Sequence, residues 1–177
     1  MLPTPWIQTG LPETLCGLND SKQLTPQKRL TAYQRICREA LAVGIGVVDA
    51  DIIDRINILQ SALLAMEVAV AHLDPQADCL LIDGTHRTTL SLPQFTIPKG
   101  DARSVSIAAA SIVAKVTRDR LMEGYHAQYP AYRFDRHKGY PTQVHREAVR
   151  KYGCCPIHRV TFRGVKEYAR SSRVPPE

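Results

Sequence analysis

The sequence predicts a single α/β domain, and three stretches carry that prediction. Cys79-Leu-Leu-Ile-Asp83-Gly84 is an apolar run that stops on an acid and a glycine, the pattern of a buried strand ending in a turn. Between Asp49 and Leu73, the residues Ile52, Ile56, Leu59, Leu63, Met66, Val70 and Leu73 recur every three or four positions, the stripe of a helix laid on a core. Ile97-Pro-Lys-Gly-Asp101 is a turn that opens into a run of small residues, Ala108 to Ser111, which lets a helix backbone approach a sheet closely. Acids at strand ends and helix entries are where α/β proteins place active sites.

The remaining elements follow in order. Pro3, Pro5, Gly10 and Pro12 make residues 1–16 an irregular tail. Residues 17–170 form the domain, entered through a polar loop, Gly17 to Lys22. Thr25-Pro26 starts a helix, with Thr as N-cap and Pro at the first helical position. Leu30, Tyr33, Cys37 and Leu41 continue it at helical spacing, and Gly44 ends it. Gly44 to Val48 reads as a short strand. The helix beginning near Asp49 takes Asp51 as a cap and Asp54 at the positive end of its dipole. A polar, hairpin-like connection from Gly84 to Pro93 leads to a second strand, Gln94 to Ile97. The small-residue helix then runs to about Gln128, where an aromatic, proline-broken loop takes over, Tyr129 to Phe134. Thr142 caps a last helix that ends near Gly153, and residues 171–177 read as a disordered tail.

Bulk properties narrow the function. Lysine and arginine number 23 against 17 acids, a net charge of +6 with a pI near 9.2, which suits a polyanionic partner. The five cysteines show neither a disulfide framework nor paired zinc spacing, and fit reduced thiols in the cytoplasm. No apolar run reaches the length of a membrane span, and the start lacks the basic and apolar segments of a signal peptide.

On the residues alone, Asp83 and Asp101 are either two carboxylates converging on one metal ion, or a turn residue and a helix cap. Arg133, Arg136, His137 and Lys138 gather beside Tyr140, the combination that a nucleic-acid backbone and sugar need, or a basic surface loop with a packed tyrosine. Four ordered blocks tip the balance: Gly17-Leu-Asn-Asp-Ser-Lys22, Leu81-Ile-Asp83-Gly84, Lys99-Gly-Asp101 with the helix through Asp119, and His137-Lys-Gly-Tyr140-Pro-Thr142. In this order they resemble the ribonuclease HII family, from about Gly17 to Lys166.

The resemblance implies an RNase H-like fold, a mixed sheet flanked by helices. It implies a metal-dependent endoribonuclease that cuts the RNA strand of RNA·DNA hybrids and ribonucleotides embedded in DNA, with Mn²⁺ or Mg²⁺ as cofactor. Asp83 and Asp101 match two of the family's four metal-holding carboxylates. Asn19, Ser21, Lys22, Lys115 and Lys138 match contacts to the nucleic acid, and Tyr140 matches the residue that packs on the sugar beside the ribonucleotide. A monomer in the cytoplasm is expected. One departure stands out: the block Asp-Glu-x-Gly-Arg-Gly, which carries the family's other two carboxylates, its 2′-hydroxyl sensor and its first two strands, does not occur here. The sequence therefore reads as an incomplete member: either the start is misplaced, or the chain is a decayed or truncated member. The stripe from Ile52 to Leu73 should then lack part of its usual cover, leaving the isolated chain marginally stable.

Overall fold

The computed structural model describes residues 24–169. The expected tails, 1–16 and 171–177, and the polar loop 17–22 lie outside them. The described chain clusters into two compact units, 24–46 with 66–116, and 47–65 with 117–169. No helix among the described residues is long and apolar enough to cross a membrane.

In the first unit, helix α1 spans Pro26–Glu39. Its start is as the sequence predicts: Pro26 occupies the first turn, and the Thr25 side chain accepts from Lys28 N at 3.3 Å. Its buried face is Ala32 and Ile36, flanked by Tyr33, rather than the Leu30–Cys37–Leu41 line. Cys37 and Leu41 are exposed, because the helix stops at Glu39 and the line needs another turn to form one face. Ala32 and Ile36 pack on Ile112 and Val113 of α3 (Val105–Gln128), with Ala109 alongside. Ala108 is fully buried, so the small-residue run does bring backbones close. Each buried isoleucine contributes about 2–3 kcal/mol.

Strands β1 (Leu80–Asp83) and β2 (Gln94–Ile97) pair in parallel, with Leu80 opposite Gln94 and Asp83 opposite Ile97. The connection 84–93 is thus a crossover rather than the expected hairpin, since a hairpin would return antiparallel. Side chains hold this short crossover. Gln94 Oε1 accepts from Thr88 N and Oγ1 at 2.9 and 3.0 Å, and its Nε2 donates to Leu90 O at 2.7 Å. Glu67 Oε1 accepts from Thr89 N at 2.7 Å.

The expected strand at 44–48 does not form. Exposure alternates along residues 41–49 with the period of a strand, yet nothing among the described residues pairs with it, and a strand exists only through its ladder. Within the first unit, Ile45 O instead accepts from the Nδ1 of His72 at 2.9 Å.

Helix α2 spans Ala50–Ala71 and is broken at Asn57, which takes φ 69°, ψ 168°. The Asn57 side chain accepts from Leu59 N at 2.9 Å and Gln60 N at 3.1 Å, so it caps a second helical segment. The expectation of a continuous buried stripe fails here. Ser61 is the buried residue of α2, while Ile56, Leu59 and Met66 are 37%, 40% and 37% exposed. The break interrupts the stripe, and no described element seals it. Asp51 is not the cap, since Ile52 N and Ile53 N both bond Asp49 O. Asp54 is held by Thr161 and lies 3.7 Å from Arg159.

The second unit is built on an aromatic core. The expected loop at 129–134 is a 3-10 turn, Pro130–Tyr132, leading into the short helix α4 (Phe134–His137). Tyr129, Tyr132 and Phe134 are buried with Ala148, Val149, Cys154, Cys155 and Val165. Tyr132 and Phe134 stack at 5.5 Å, and Tyr132 Oη donates to Gly153 O at 3.1 Å. Helix α5 (Gln143–Tyr152) has its expected N-cap, Thr142, which accepts from His145 N at 3.3 Å, and Gly153 ends it at φ 77°.

Candidate functional site

The carboxylate half of the site is set by the parallel register. Asp83 is the last residue of β1, and Gly84 N donates to Ile97 O at 3.1 Å, so both strands end together. The chain leaving β2 doubles back through Lys99, in the left-handed region at φ 55°, into a 3-10 turn, Gly100–Ala102. There Gly100 N donates to Asp83 Oδ1 at 2.8 Å. The carboxylate of Asp83 therefore lies against the backbone of the residue that precedes Asp101. A Cβ on Gly100 would stand 2.5 Å from Ile107 Cδ1, the tip of a side chain that would have to shift, and 3.4 Å from Asp83 Oδ1, an ordinary contact.

Asp101 is half-buried within that turn, and it is not the helix cap. Ser104 caps α3: its Oγ accepts from Ile107 N at 3.5 Å and its carbonyl from Ala108 N at 2.9 Å. Asp83 is exposed, and its bond reaches seventeen residues along the chain rather than closing its own turn. Among the described residues, neither carboxylate forms an ion pair. The pair offers hard oxygen donors suited to Mg²⁺ or Mn²⁺. Among the described residues, no three of His, Cys, Asp and Glu gather into a group that could hold a metal.

The second candidate cluster lies in the other unit. Tyr140 is 55% exposed, with the Arg118 guanidinium 4.9 Å from its ring centroid. Two residues before it, Lys138 donates to Glu123 Oε1 at 2.6 Å. Lys138 and Gly139 both take positive φ, 49° and 80°. Arg133 and Arg136 are exposed, but His137 is buried and is not part of a surface cluster. Both its nitrogens are used internally: Gly139 N donates to Nδ1 at 3.2 Å, and Nε2 donates to Tyr132 O at 2.8 Å. Lys115 is half-buried on α3, while Asn19, Ser21 and Lys22 lie outside the described residues.

Two further histidines, His145 and His158, back this loop; the sequence offers His158 only as a partner of Cys154 and Cys155 in a metal cluster that lacks a second ligand pair. Cys155 N donates to His158 Nδ1 at 3.1 Å, which leaves the proton of His158 on Nε2. That proton points at His145 Nε2, 3.1 Å away, so His145 carries its own on Nδ1 and donates it to Tyr140 O at 3.0 Å. Burial lowers the pKa of both rings, that of His158 to about 4, and the mutual repulsion of neighbouring imidazoliums adds to this. Cys155 Sγ stands 2.9 Å from His158 Nδ1, and burial pushes its thiol up to about 12, so it is a packed thiol rather than a thiolate ligand.

The chain is similar to known proteins in sequence and in fold. The family model for ribonuclease HII matches residues 12–165. A ribonuclease HII from Geotalea uraniireducens is 55% identical over 157 residues, covering 89% of this chain and 73% of the relative. One from Geobacter metallireducens is 56% identical over 154 residues, covering 87% and 72%. The crystal structure of the ribonuclease H2 from Pyrococcus horikoshii superposes with a TM-score of 0.73 at 25% identity, covering 89% of this chain and 83% of that one. The fold is accordingly the RNase H-like α/β fold. Over almost its whole length, from residue 12 to residue 165, the chain belongs to the ribonuclease HII family.

Proposed function

We propose that the chain serves metal-dependent endonucleolytic hydrolysis at ribonucleotides, in the RNA strand of RNA·DNA hybrids and in DNA carrying single ribonucleotides. The observation that carries this reading is the carboxylate of Asp83 held against the turn that bears Asp101, in a chain of this family. Asp83 and Asp101 would hold a divalent ion, Mn²⁺ or Mg²⁺. Such an ion supplies orientation of a water and stabilisation of charge on the leaving 3′ oxygen. Gly100 N fixes one oxygen of Asp83 and leaves the other to a ligand. Lys22, Lys115 and Lys138, with Asn19 and Ser21, take the backbone of the nucleic acid, and Tyr140 takes the sugar. Backbone contacts of this kind make log affinity fall with log salt.

A second reading is favoured by a specific observation: no third metal-holding residue joins the pair among the described residues, and residues 1–177 lack Asp-Glu-x-Gly-Arg-Gly. With two carboxylates an ion is weakly held, and these residues by themselves would cut ~10³-fold or more below a complete site. One experiment separates the readings. Residues 1–177 are offered a DNA duplex with one ribonucleotide in Mg²⁺ or Mn²⁺, beside Asp83→Asn. Cutting at the ribonucleotide that Asp83→Asn abolishes supports the enzyme reading. Residual binding without cutting supports the second, and cutting that survives both Asp83→Asn and Asp101→Asn overturns the carboxylate assignment.

A further inference from the structure

An aromatic ring that is to meet a sugar must be held still while remaining exposed, and ordinary packing does not achieve both. Tyr140 is over half exposed, yet its backbone is bonded on three sides. Its amide donates to His137 O at 2.8 Å, and its carbonyl accepts from Thr142 N at 2.8 Å and from His145 Nδ1 at 3.0 Å. The two residues before it hold left-handed conformations, which persist in a lysine only where the surroundings impose them. Arg118 lies over the ring, and its Nη1 is buried with no hydrogen-bond partner among the described residues. Stacking on Tyr140 is therefore the contact that accounts for its place.

We propose that Arg118 and His145 are positioning residues for the sugar contact beside the ribonucleotide: Arg118 backs one face of the Tyr140 ring, and His145 pins the Tyr140 carbonyl, so that the ring is presented to the sugar in one orientation. His158 acts behind them, because its Nε2 proton fixes the tautomer in which His145 donates to Tyr140. The proposal rests on the reading of Tyr140 as the sugar contact. Neither Arg118 nor His145 touches the substrate through this role; each acts by limiting the motion of Tyr140, so their effects must vanish when the ring is gone.

The test measures dissociation constants by fluorescence anisotropy, in EDTA so that nothing is cut, for an all-DNA duplex and for the same duplex with one ribonucleotide. Tyr140→Ala, Arg118→Met and His145→Leu should each weaken binding of the ribonucleotide duplex about fivefold more than binding of the all-DNA duplex. In the Tyr140→Ala background, Arg118→Met and His145→Leu should add nothing. His145→Asn, whose amide can occupy the place of Nδ1, should restore the preference. Arg118→Met leaves the buried histidines untouched and keeps the test open if His145→Leu folds poorly. Additive losses, or equal weakening of both duplexes, overturn the inference while leaving Tyr140 as the sugar contact. No preference in the unaltered chain, or no effect of Tyr140→Ala, removes the sugar-contact reading and the inference with it.

Discussion

The aromatic core around Phe134 and the helix α2 are both rich in apolar side chains, and they end in opposite conditions. Tyr132, Phe134, Val149, Cys154 and Cys155 are sealed almost completely. Ile56, Ile58, Leu59 and Met66 each keep more than a third of their surface in water. The difference lies in what surrounds the apolar groups. In the core, the buried tyrosine and histidines are bonded inward: Tyr132 Oη bonds Gly153 O, His137 bonds Tyr132 O, and His145 bonds His158. Around α2 no described element comes to close the face. An apolar stripe states a need for cover, whereas a closed hydrogen-bond network records that cover has been found.

The contrast can be broken most forcefully at Phe134. Phe134→Ala should cost about 3–5 kcal/mol in urea unfolding, since it empties a fully packed site beside the stacked ring of Tyr132. A loss below about 1 kcal/mol would mean that the core is no better sealed than α2. Acid attacks the same core through its histidines. The folded-state pKa of His158 is lowered by burial from 6.5 to about 4, so the unfolded chain binds the proton more readily. Stability is then full above pH 6.5 and falls as pH drops through the window down to about 4, by about 3 kcal/mol from His158 alone. The lowered pKa of His145 adds in the same direction. Stability curves at pH 7 and pH 4.5 should differ accordingly, and His158→Gln should flatten the dependence.

On the other side of the comparison, Asn57→Ala removes the cap of the second segment of α2 and places a Cβ-bearing residue without a polar side chain at φ 69°. A loss of about 2 kcal/mol is expected in thermal unfolding, with Asn57→Gly milder. The smallest effect belongs to Leu59→Ala, at under about 1 kcal/mol, because that side chain is already 40% in water. A loss as large as that of Phe134→Ala would show that α2 is covered in solution.

What the sequence made legible was local. Thr25-Pro26 and Thr142 start their helices because capping needs only the neighbouring three residues. The strands at 80–83 and 94–97 and the end of α3 at Gln128 follow from short patterns with sharp stops. The juxtaposition of Asp83 with the turn at 100–102 was foreshadowed by the acid at the end of one apolar run and the Lys-Gly-Asp after the next. What escaped was non-local. Residues 44–48 carry strand chemistry, but pairing depends on a neighbour that no local pattern reports. The crossover 84–93 reads as a hairpin until the Gln94 amide and the Glu67 carboxylate are seen to fasten it. His137 stands between Arg136 and Lys138 and reads as one more cation, whereas two backbone groups take its nitrogens inward. Arg118, although inside the block that ends at Asp119, and His145 gave no sign of their part beside Tyr140, since that relation exists only in three dimensions.

The placement of the cysteines makes the chain a reporter of its own opening. Among the described residues, Cys37 and Cys79 are exposed thiols, while the adjacent Cys154 and Cys155 are thiols sealed within the aromatic core. A thiol reagent should modify the first two at once. It should reach the adjacent pair only when the second unit opens, both because the sulfurs are shielded and because the Cys155 thiol resists ionisation. The slow phase of labelling therefore measures how often that unit opens under native conditions, with no denaturant and no added probe. Oxidants would follow the same order, marking the surface first and bridging neighbouring sulfurs only in molecules that have already come apart.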